Sequence, residues 1–467
     1  MSFFKAYDMR GTFGVDFDLE TVQRVGKALP QVVKGKRWLV GRDCRTTSAD
    51  IRDALVKGLE ESGAEVTDLG LCTTPMVYFF TAEEDFDGSV MITASHNPPS
   101  DNGLKVSMRT ALPVGYANGL NEVERLVKFE RFEEFERFEK SEEQDVRWKN
   151  RYVEWMRKQV SGPENSTNPA NPSNLSNLSI AVDCSNGMAS ILVHELFPDA
   201  IIVNDTLDGT FPNHSPNPLK SEAREQIAAL VRERGLDGGV IFDGDADRCM
   251  FVDERGEFVQ PDYLIPVVAR ATIPAFQPFT PSTFQPPKII HDVRTSRGAI
   301  EELRRMGCEP VMVPVGHAFA KPILRKIGAV SGGELAGHYY FSEFHGCDSG
   351  VLAALRILGE IAKAKAEGKT FSEMMRPISG VYANSGEMNF KVDDKDAAIA
   401  HALAAAKERL PRELSRSEID GIRIEYAEGW VNIRKSNTEP YLRLIVECDT
   451  ADRLKDWVLV LKTAVEA

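Results

Sequence analysis

The stretch Val90-Met91-Ile92-Thr93-Ala94-Ser95-His96-Asn97-Pro98-Pro99-Ser100-Asp101-Asn102-Gly103 decides the fold. An apolar run ends in a hydroxyl, an imidazole and an amide, and Pro98 and Pro99 then forbid helix or sheet. The pattern predicts a buried strand that delivers Ser95 and His96 onto a stiff loop at its carboxyl end. Open α/β sheets bind their ligands at that place. A serine held there can carry a group covalently.

Outward from this loop, residues 1–145 alternate helix and strand signals. Thr46-Thr47-Ser48 offers N-caps for an amphipathic helix reaching Glu61, and Gly63 suits its end. Residues 65–69 read as a strand and Thr74-Pro75 as the start of another helix. Residues 121–143 are charge-rich, with Phe129, Phe132, Phe135 and Phe138 as an apolar stripe on a surface helix. Residues 161–179 carry a loop composition of Ser, Asn, Pro and Gly. Strand patterns recur at 180–183, 201–203 and 238–242, with helices at 188–196 and 220–234 between them. The alternation continues over 261–376, broken by the Pro-rich insertion 274–287 and including an amphipathic helix at 352–365. The last ninety or so residues differ, with wider spacing and a polar loop from Ile433 to Tyr441 between two strands. The expected fold is α/β: three similar α/β domains (1–145, 146–258, 259–374) and a smaller α+β domain (375–467).

Composition bounds the function. A chain of 467 residues with 42% hydrophobic and 27% charged content is an ordinary globular protein of several domains. No apolar run approaches the ~20 residues of a membrane span, and Met1–Ala6 lacks a signal peptide's apolar core. Seven scattered cysteines, odd in number and without a Cys-x-x-Cys pair, point to reduced thiols in the cytoplasm. A net charge of −14 argues against nucleic acid and acidic membranes as partners, while leaving room for a small anionic substrate.

Three further constellations carry chemistry. Asp243-Gly244-Asp245-Ala246-Asp247-Arg248 follows the apolar strand 238–242, and alternate residues there project to one side. Three hard oxygen donors without a nearby His or Cys ligand favour Mg²⁺ over zinc. An EF-hand is excluded, because Arg248 stands where that loop requires its central Gly. Arg434-Lys435-Ser436-Asn437-Thr438-Glu439-Pro440 concentrates donors suited to phosphate oxygens. Gly333-Glu334-Leu335-Ala336-Gly337-His338 sets a carboxylate and an imidazole four apart, able to hydrogen-bond sugar hydroxyls.

In this order the motifs resemble those of the α-D-phosphohexomutase superfamily across essentially the whole chain, most like bacterial phosphomannomutase/phosphoglucomutase. Ala6-Tyr7-Asp8-Met9-Arg10-Gly11 is similar to the family's opening. The resemblance implies four domains around a central active-site cleft and a resting enzyme phosphorylated on Ser95. It implies that Asp243, Asp245 and Asp247 hold Mg²⁺ together with one oxygen of phospho-Ser95. Arg434, Ser436, Asn437 and Thr438 would grip the non-reacting phosphate, and Glu334 and His338 would read the sugar with Tyr7 nearby. Ala336 departs from the serine common in close relatives and removes one hydrogen bond to the sugar. The implied activity is isomerase chemistry on hexose phosphates, moving phosphate between C1 and C6 through a hexose 1,6-bisphosphate, on mannose and also glucose phosphates. Such transfer needs charge neutralisation, which Mg²⁺, Arg10 and Arg248 would supply. Lys105, His96 and His317 are the proton-transfer candidates. Phosphoglucosamine mutase is the rival within the class, and a metal-dependent sugar-phosphate phosphatase or a non-catalytic sensor the rivals outside it. The expected assembly is a monomer or weak dimer.

Overall fold

The computed structural model describes residues 3–129, 146–161, 172–273, 285–436 and 441–467. Three five-membered sheet paths repeat one plan. In the first, the strands run Glu65–Leu71, Arg37–Arg42, Gly88–Ile92, Asp101–Met108 and Met9–Thr12, the first three parallel and the rest antiparallel. The second runs Ile201–Val203, Ile180–Asp183, Gly238–Phe242, Cys249–Asp253 and Phe258–Val259 with the same directions. The third runs Glu309–Val313, Lys288–Asp292, Ser331–Gly333, Tyr339–Phe341 and Cys347–Asp348, again alike. The expected architectural repeat is therefore a repeat of strand order. The central strands are covered on both faces: Gly88–Ile92 and Gly238–Phe242 are buried at every residue, as is the antiparallel Cys249–Asp253, whereas the parallel edge strand Glu65–Leu71 is mostly half-buried.

The plan positions the chemistry. In each sheet the third strand passes through a loop into the antiparallel fourth strand. That loop is 93–100 in the first sheet, 243–248 in the second and 334–338 in the third. All three chemical motifs thus occupy one topological place, at the carboxyl end of a parallel strand.

The fourth sheet is antiparallel, in the order Ala383–Asn384, Leu442–Cys448, Gly429–Lys435, Ile422–Glu425 and Ser415–Ser417, and Met388–Phe390 also pairs with Leu442–Cys448. Helices Lys395–Arg409 and Ala451–Glu466 pack against each other beside it. One continuous apolar core joins residues of the first three domains, among them Phe79, Phe242 and Leu352. The fourth domain has its own core around Leu444 and Trp457.

Several local expectations need correction. The helix Ser48–Glu61 begins where expected, but Thr47 makes no side-chain cap. Its hydroxyl instead accepts Asn102 Nδ2 at 2.9 Å, and Ser48 Oγ donates to Asp43 Oδ1 at 2.6 Å, so both are spent on loop packing. The 352–365 helix runs Gly350–Ala366 and is buried on nearly all sides, because it lies in the shared core rather than at a surface. Arg434 and Lys435 belong to the strand Gly429–Lys435, so the polar loop begins only at Ser436. Of the phenylalanine stripe, the structure shows the helix Leu120–Phe129, while Phe132, Phe135 and Phe138 fall outside the described residues.

Candidate active site

Ser95 is buried and left-handed, with φ of +52°. That conformation costs a non-glycine residue about 1–2 kcal/mol, so its surroundings must enforce it. Two features do. Arg45, fully buried, donates to four carbonyls of the loop: Pro98 at 2.6 Å, Asn97 at 2.7 Å, and Ser95 and Asp101 at 2.9 Å. Thr93 Oγ1 accepts the Ser95 amide at 2.8 Å. The Ser95 hydroxyl then points across to the second domain, donating to Asp243 Oδ2 at 2.9 Å and receiving Arg248 Nη2 at 3.3 Å. His96 Nδ1 is 3.2 Å from the same oxygen. Gly244 permits this approach, since a Cβ there would stand 2.5 Å from the Ser95 carbonyl. Arg10, from the edge strand, reaches over the loop to Asn97 Oδ1 at 3.1 Å and to Asp8 at 2.5 Å.

The carboxylates of Asp243, Asp245 and Asp247 are fully buried and present oxygens within 4.8 Å of one another. Burial pushes Asp243 up to about 7, against the pull of Arg248. Burial and Asp247 also oppose the charge on Asp245, yet Lys105 and the Thr74 hydroxyl outweigh them and hold it low. Lys105 Nζ lies 2.7 Å from Asp245 Oδ2 and 2.5 Å from Asp247 Oδ2, and is itself held protonated by them despite burial. Asp245 Oδ1 and Asp247 Oδ1 are buried without a hydrogen-bond partner among the described residues. Orphaned carboxylate oxygens in an all-oxygen set fit a hard divalent cation such as Mg²⁺.

The third-domain loop locks onto this centre. Arg248 and His338 form a backbone bridge, and the Cys249 amide donates to the Gly337 carbonyl at 3.3 Å. His338 Nδ1 meets Asp348 Oδ2 at 2.7 Å, and Asp348 Oδ1 pairs with Lys321 at 2.7 Å. Although burial disfavours its charge, Asp247 and Asp348 raise His338 above an ordinary imidazole. Glu334 accepts Tyr340 Oη at 2.5 Å and the Gly316 amide at 3.2 Å. His317, at the start of the helix His317–Ile327, lies beside His338 with ring centroids 5.9 Å apart and the rings tilted by 43°. Burial holds both His317 and His96 well below the usual imidazole range, which leaves them neutral. Tyr7 Oη bonds the Val315 carbonyl at 3.4 Å across the seam between the first and third domains.

The comparisons with known proteins bear on this geometry. Family models for phosphoglucomutase/phosphomannomutase match in order: α/β/α domain I over residues 1–134, domain II over 151–256, domain III over 261–380 and the C-terminal domain over 387–462. The chain belongs to the phosphoglucomutase/phosphomannomutase family. It is 34% identical to a phosphomannomutase of Escherichia coli K12 over 454 residues, covering 95% of this chain and 94% of the relative. It is 36% identical to phosphohexose mutases of Xanthomonas campestris over 448 residues, with 95% and 94% covered. A phosphoglucomutase/phosphomannomutase family protein of Burkholderia thailandensis superposes with a TM-score of 0.79 at 26% identity, over 99% of this chain and 97% of that one. The phosphoglucomutase parafusin of Paramecium shares the fold at 17% identity, with a TM-score of 0.72 over 95% and 91% of the chains. The protein is thus an isomerase of the mutase type.

In this phosphohexomutase, Ser95, His96, Arg10, Lys105, Arg248 and the three aspartates gather where the first two domains meet. Lys105, a proton-transfer candidate, is engaged by Asp245 and Asp247. His317, Glu334 and His338 form the adjoining third-domain face, and Tyr7 reaches it from the first domain. Arg434 sits apart on the fourth domain, buried and paired with Glu387 at 3.1 Å. The Ser436 amide donates to the Tyr441 carbonyl at 2.9 Å, and Asn437 and Thr438 fall outside the described residues. Sequence reasoning missed Arg45, Thr74, Arg294, Asp348 and Glu387. Arg45 carried a usable signal, since Arg42-Asp43-Cys44-Arg45 ends a parallel strand beside that of Ser95. Asp348 and Glu387 carried none, because their partners are supplied by other parts of the fold.

Proposed function

We propose that the protein interconverts hexose 1-phosphates and hexose 6-phosphates, of mannose and also of glucose, using phosphorylated Ser95 as donor. The observation that carries the reading is the contact of the Ser95 hydroxyl with Asp243 and Arg248, on a strained loop facing three buried carboxylates. A hydroxyl of the bound sugar phosphate attacks the phosphorus and gives up its proton as the P–Oγ bond of Ser95 breaks, and Ser95 Oγ takes up a proton in exchange. The resulting hexose 1,6-bisphosphate turns over and returns its other phosphate to Ser95. Asp243, Asp245 and Asp247 would hold Mg²⁺ together with an oxygen on Ser95, and the ion would neutralise charge on the phosphate in transfer. Arg248, and Arg10 above the loop, supply fixed positive charge at the same place. Of the proton-transfer candidates, His96 reaches Ser95 Oγ directly, whereas Lys105 is occupied by two aspartates. We therefore assign proton movement at Oγ to His96. Glu334 and His338 orient the sugar, while Arg434, Ser436, Asn437 and Thr438 hold its distal phosphate.

The domain limits 1–145, 146–258, 259–374 and 375–467 belong to this reading, as does a cytoplasmic monomer or weak dimer without nucleic-acid or membrane partners. Free cysteines support the location, and no helix among the described residues is long and apolar enough to cross a membrane. The test is a coupled assay on mannose, glucose and glucosamine 1-phosphates, with and without Mg²⁺ and a hexose 1,6-bisphosphate. Activity should require Mg²⁺, vanish in Ser95→Ala and accompany a phosphate on the Ser95 peptide by mass. Release of inorganic phosphate without isomerisation would overturn the mutase reading, and a marked preference for glucosamine phosphate would reassign the sugar.

A further inference from the structure

Glu387 stands where the third and fourth domains meet. Its carboxylate pairs with Arg443 Nη1 at 2.9 Å, Arg434 Nη2 at 3.1 Å and Arg294 Nη1 at 3.3 Å. Arg434 and Arg443 face each other on paired strands of the fourth sheet, whereas Arg294 follows the strand Lys288–Asp292 of the third. One carboxylate therefore gathers three guanidiniums from two domains. Burial opposes its charge, but the three arginines hold it down at about 2. Arg434 keeps an unspent donor, because its buried Nε has no hydrogen-bond partner among the described residues.

A guanidinium that binds phosphate must also let it go. In the cycle above, the distal phosphate is gripped, released for the sugar to turn over, and replaced by the other phosphate. Release onto a buried guanidinium with no other acceptor would leave an uncompensated charge, at a cost of several kcal/mol. Glu387 is already within reach of the same guanidinium. We propose that Glu387 is a positioning residue of the phosphate grip, holding Arg434 when phosphate is absent and competing for it when phosphate is present, so that the bisphosphate is let go. This rests on the reading of Arg434 as the residue that grips the distal phosphate.

The test uses the full-length enzyme, inorganic phosphate as a competitive probe, and steady-state kinetics with a hexose 1-phosphate. Glu387→Gln removes the competing charge. It should tighten inhibition by inorganic phosphate about tenfold to a hundredfold, the worth of one charge-assisted bond, and lower KM and kcat together. Glu387→Asp keeps the charge but withdraws it by about one C–C bond, ~1.5 Å, and should move both constants the same way to a smaller extent. A raised KM with unchanged kcat, unchanged phosphate inhibition, or loss of the cooperative unfolding transition in both variants would each overturn the proposal. Arg434→Gln separates the two claims. If it leaves phosphate inhibition intact, the phosphate-site reading fails; if it abolishes inhibition while Glu387→Gln changes nothing, only the role of Glu387 fails.

Discussion

Arg45 offers the sharpest test of how the serine loop is held. Its side chain touches no reacting atom, yet it donates to the carbonyls of Ser95, Asn97, Pro98 and Asp101 at 2.6–2.9 Å. It also pairs with Asp43 at 3.2 Å and lies over the Phe211 ring at 5.0 Å. Arg45→Lys retains the charge but has one ammonium where a planar fork spanned four acceptors. If two of the four bonds are lost, at about 1.5–3 kcal/mol each, the loop loses more than the ~1–2 kcal/mol that keeps Ser95 left-handed. With every 1.4 kcal/mol worth a factor of ten, relaxation of Ser95 by that ~1–2 kcal/mol should lower kcat about 5–30-fold. KM should change less than about threefold, because Arg434, Glu334 and His338 are untouched. Arg45→Met, which also strands Asp43, should lose more activity and unfold earlier. Steady-state kinetics and the phosphate content of the Ser95 peptide read the effect. A folded Arg45→Lys enzyme with parental kcat would refute the claim that Arg45 enforces the geometry of Ser95.

Other outcomes follow from the same contacts. Gly244→Ala should lower kcat at least about tenfold, since its Cβ would meet the Ser95 carbonyl at 2.5 Å; Gly63→Ala, with φ of +85° and nothing within 4 Å, should cost only about 1 kcal/mol of stability and no kcat. Lys105→Met leaves Asp245 and Asp247 without their ammonium, so the melting temperature in chelator should drop, and the rise on adding Mg²⁺ should exceed that of the parent. Equal rises would show that Lys105 does not offset the aspartates. Asp262 is buried, accepts the Ser296 amide, lies near Glu447 and Asp292, and is pushed up from 3.8 to about 7 by burial. Its folded-state value exceeds the unfolded one, so the stability of the neutral acid is full below 3.8 and is lost as pH rises through 7. Denaturant titrations of Asp262→Asn should therefore gain on the parent across that window, by on the order of 4 kcal/mol, and no further above it.

What was legible in the sequence was what lies close together along it. Ser95 and His96, and the aspartates at 243, 245 and 247, each sit in one short loop after a run of apolar residues, and Glu334 and His338 share a glycine-rich loop. A strand followed by a loop can be read from a window of ten residues. Partners drawn from other domains could not be read this way. Arg45 serves a loop some fifty positions on, and Glu387 collects arginines from positions 294, 434 and 443. The helix Gly350–Ala366 was misread for the same reason, because its second buried face is covered by elements distant in sequence. Thr47 failed as a cap because Asn102 claimed its hydroxyl.

The division of bonding types follows the division of labour. Ser95, Asp243 and His338 stand on three loops whose sheets share one apolar core, so separating these domains would expose buried carbon to water. That core holds the serine against the aspartates to within hydrogen-bond tolerance. Among the described residues, the sheet and helices at 383–467 share none of it. The seam of this fourth domain with the third is polar: Arg297 donates to the carbonyls of Tyr426 and Gly429, and Arg423 to those of Val293 and Thr295. Bonds of this kind are exchanged with water or phosphate at small net cost. Glu387, like Glu425, has an arginine on either side of the seam, and a carboxylate so placed is a contact that a phosphate can replace in kind. The bonding therefore permits the fourth domain, proposed to grip the distal phosphate, to release and re-engage a substrate while Ser95 keeps its place.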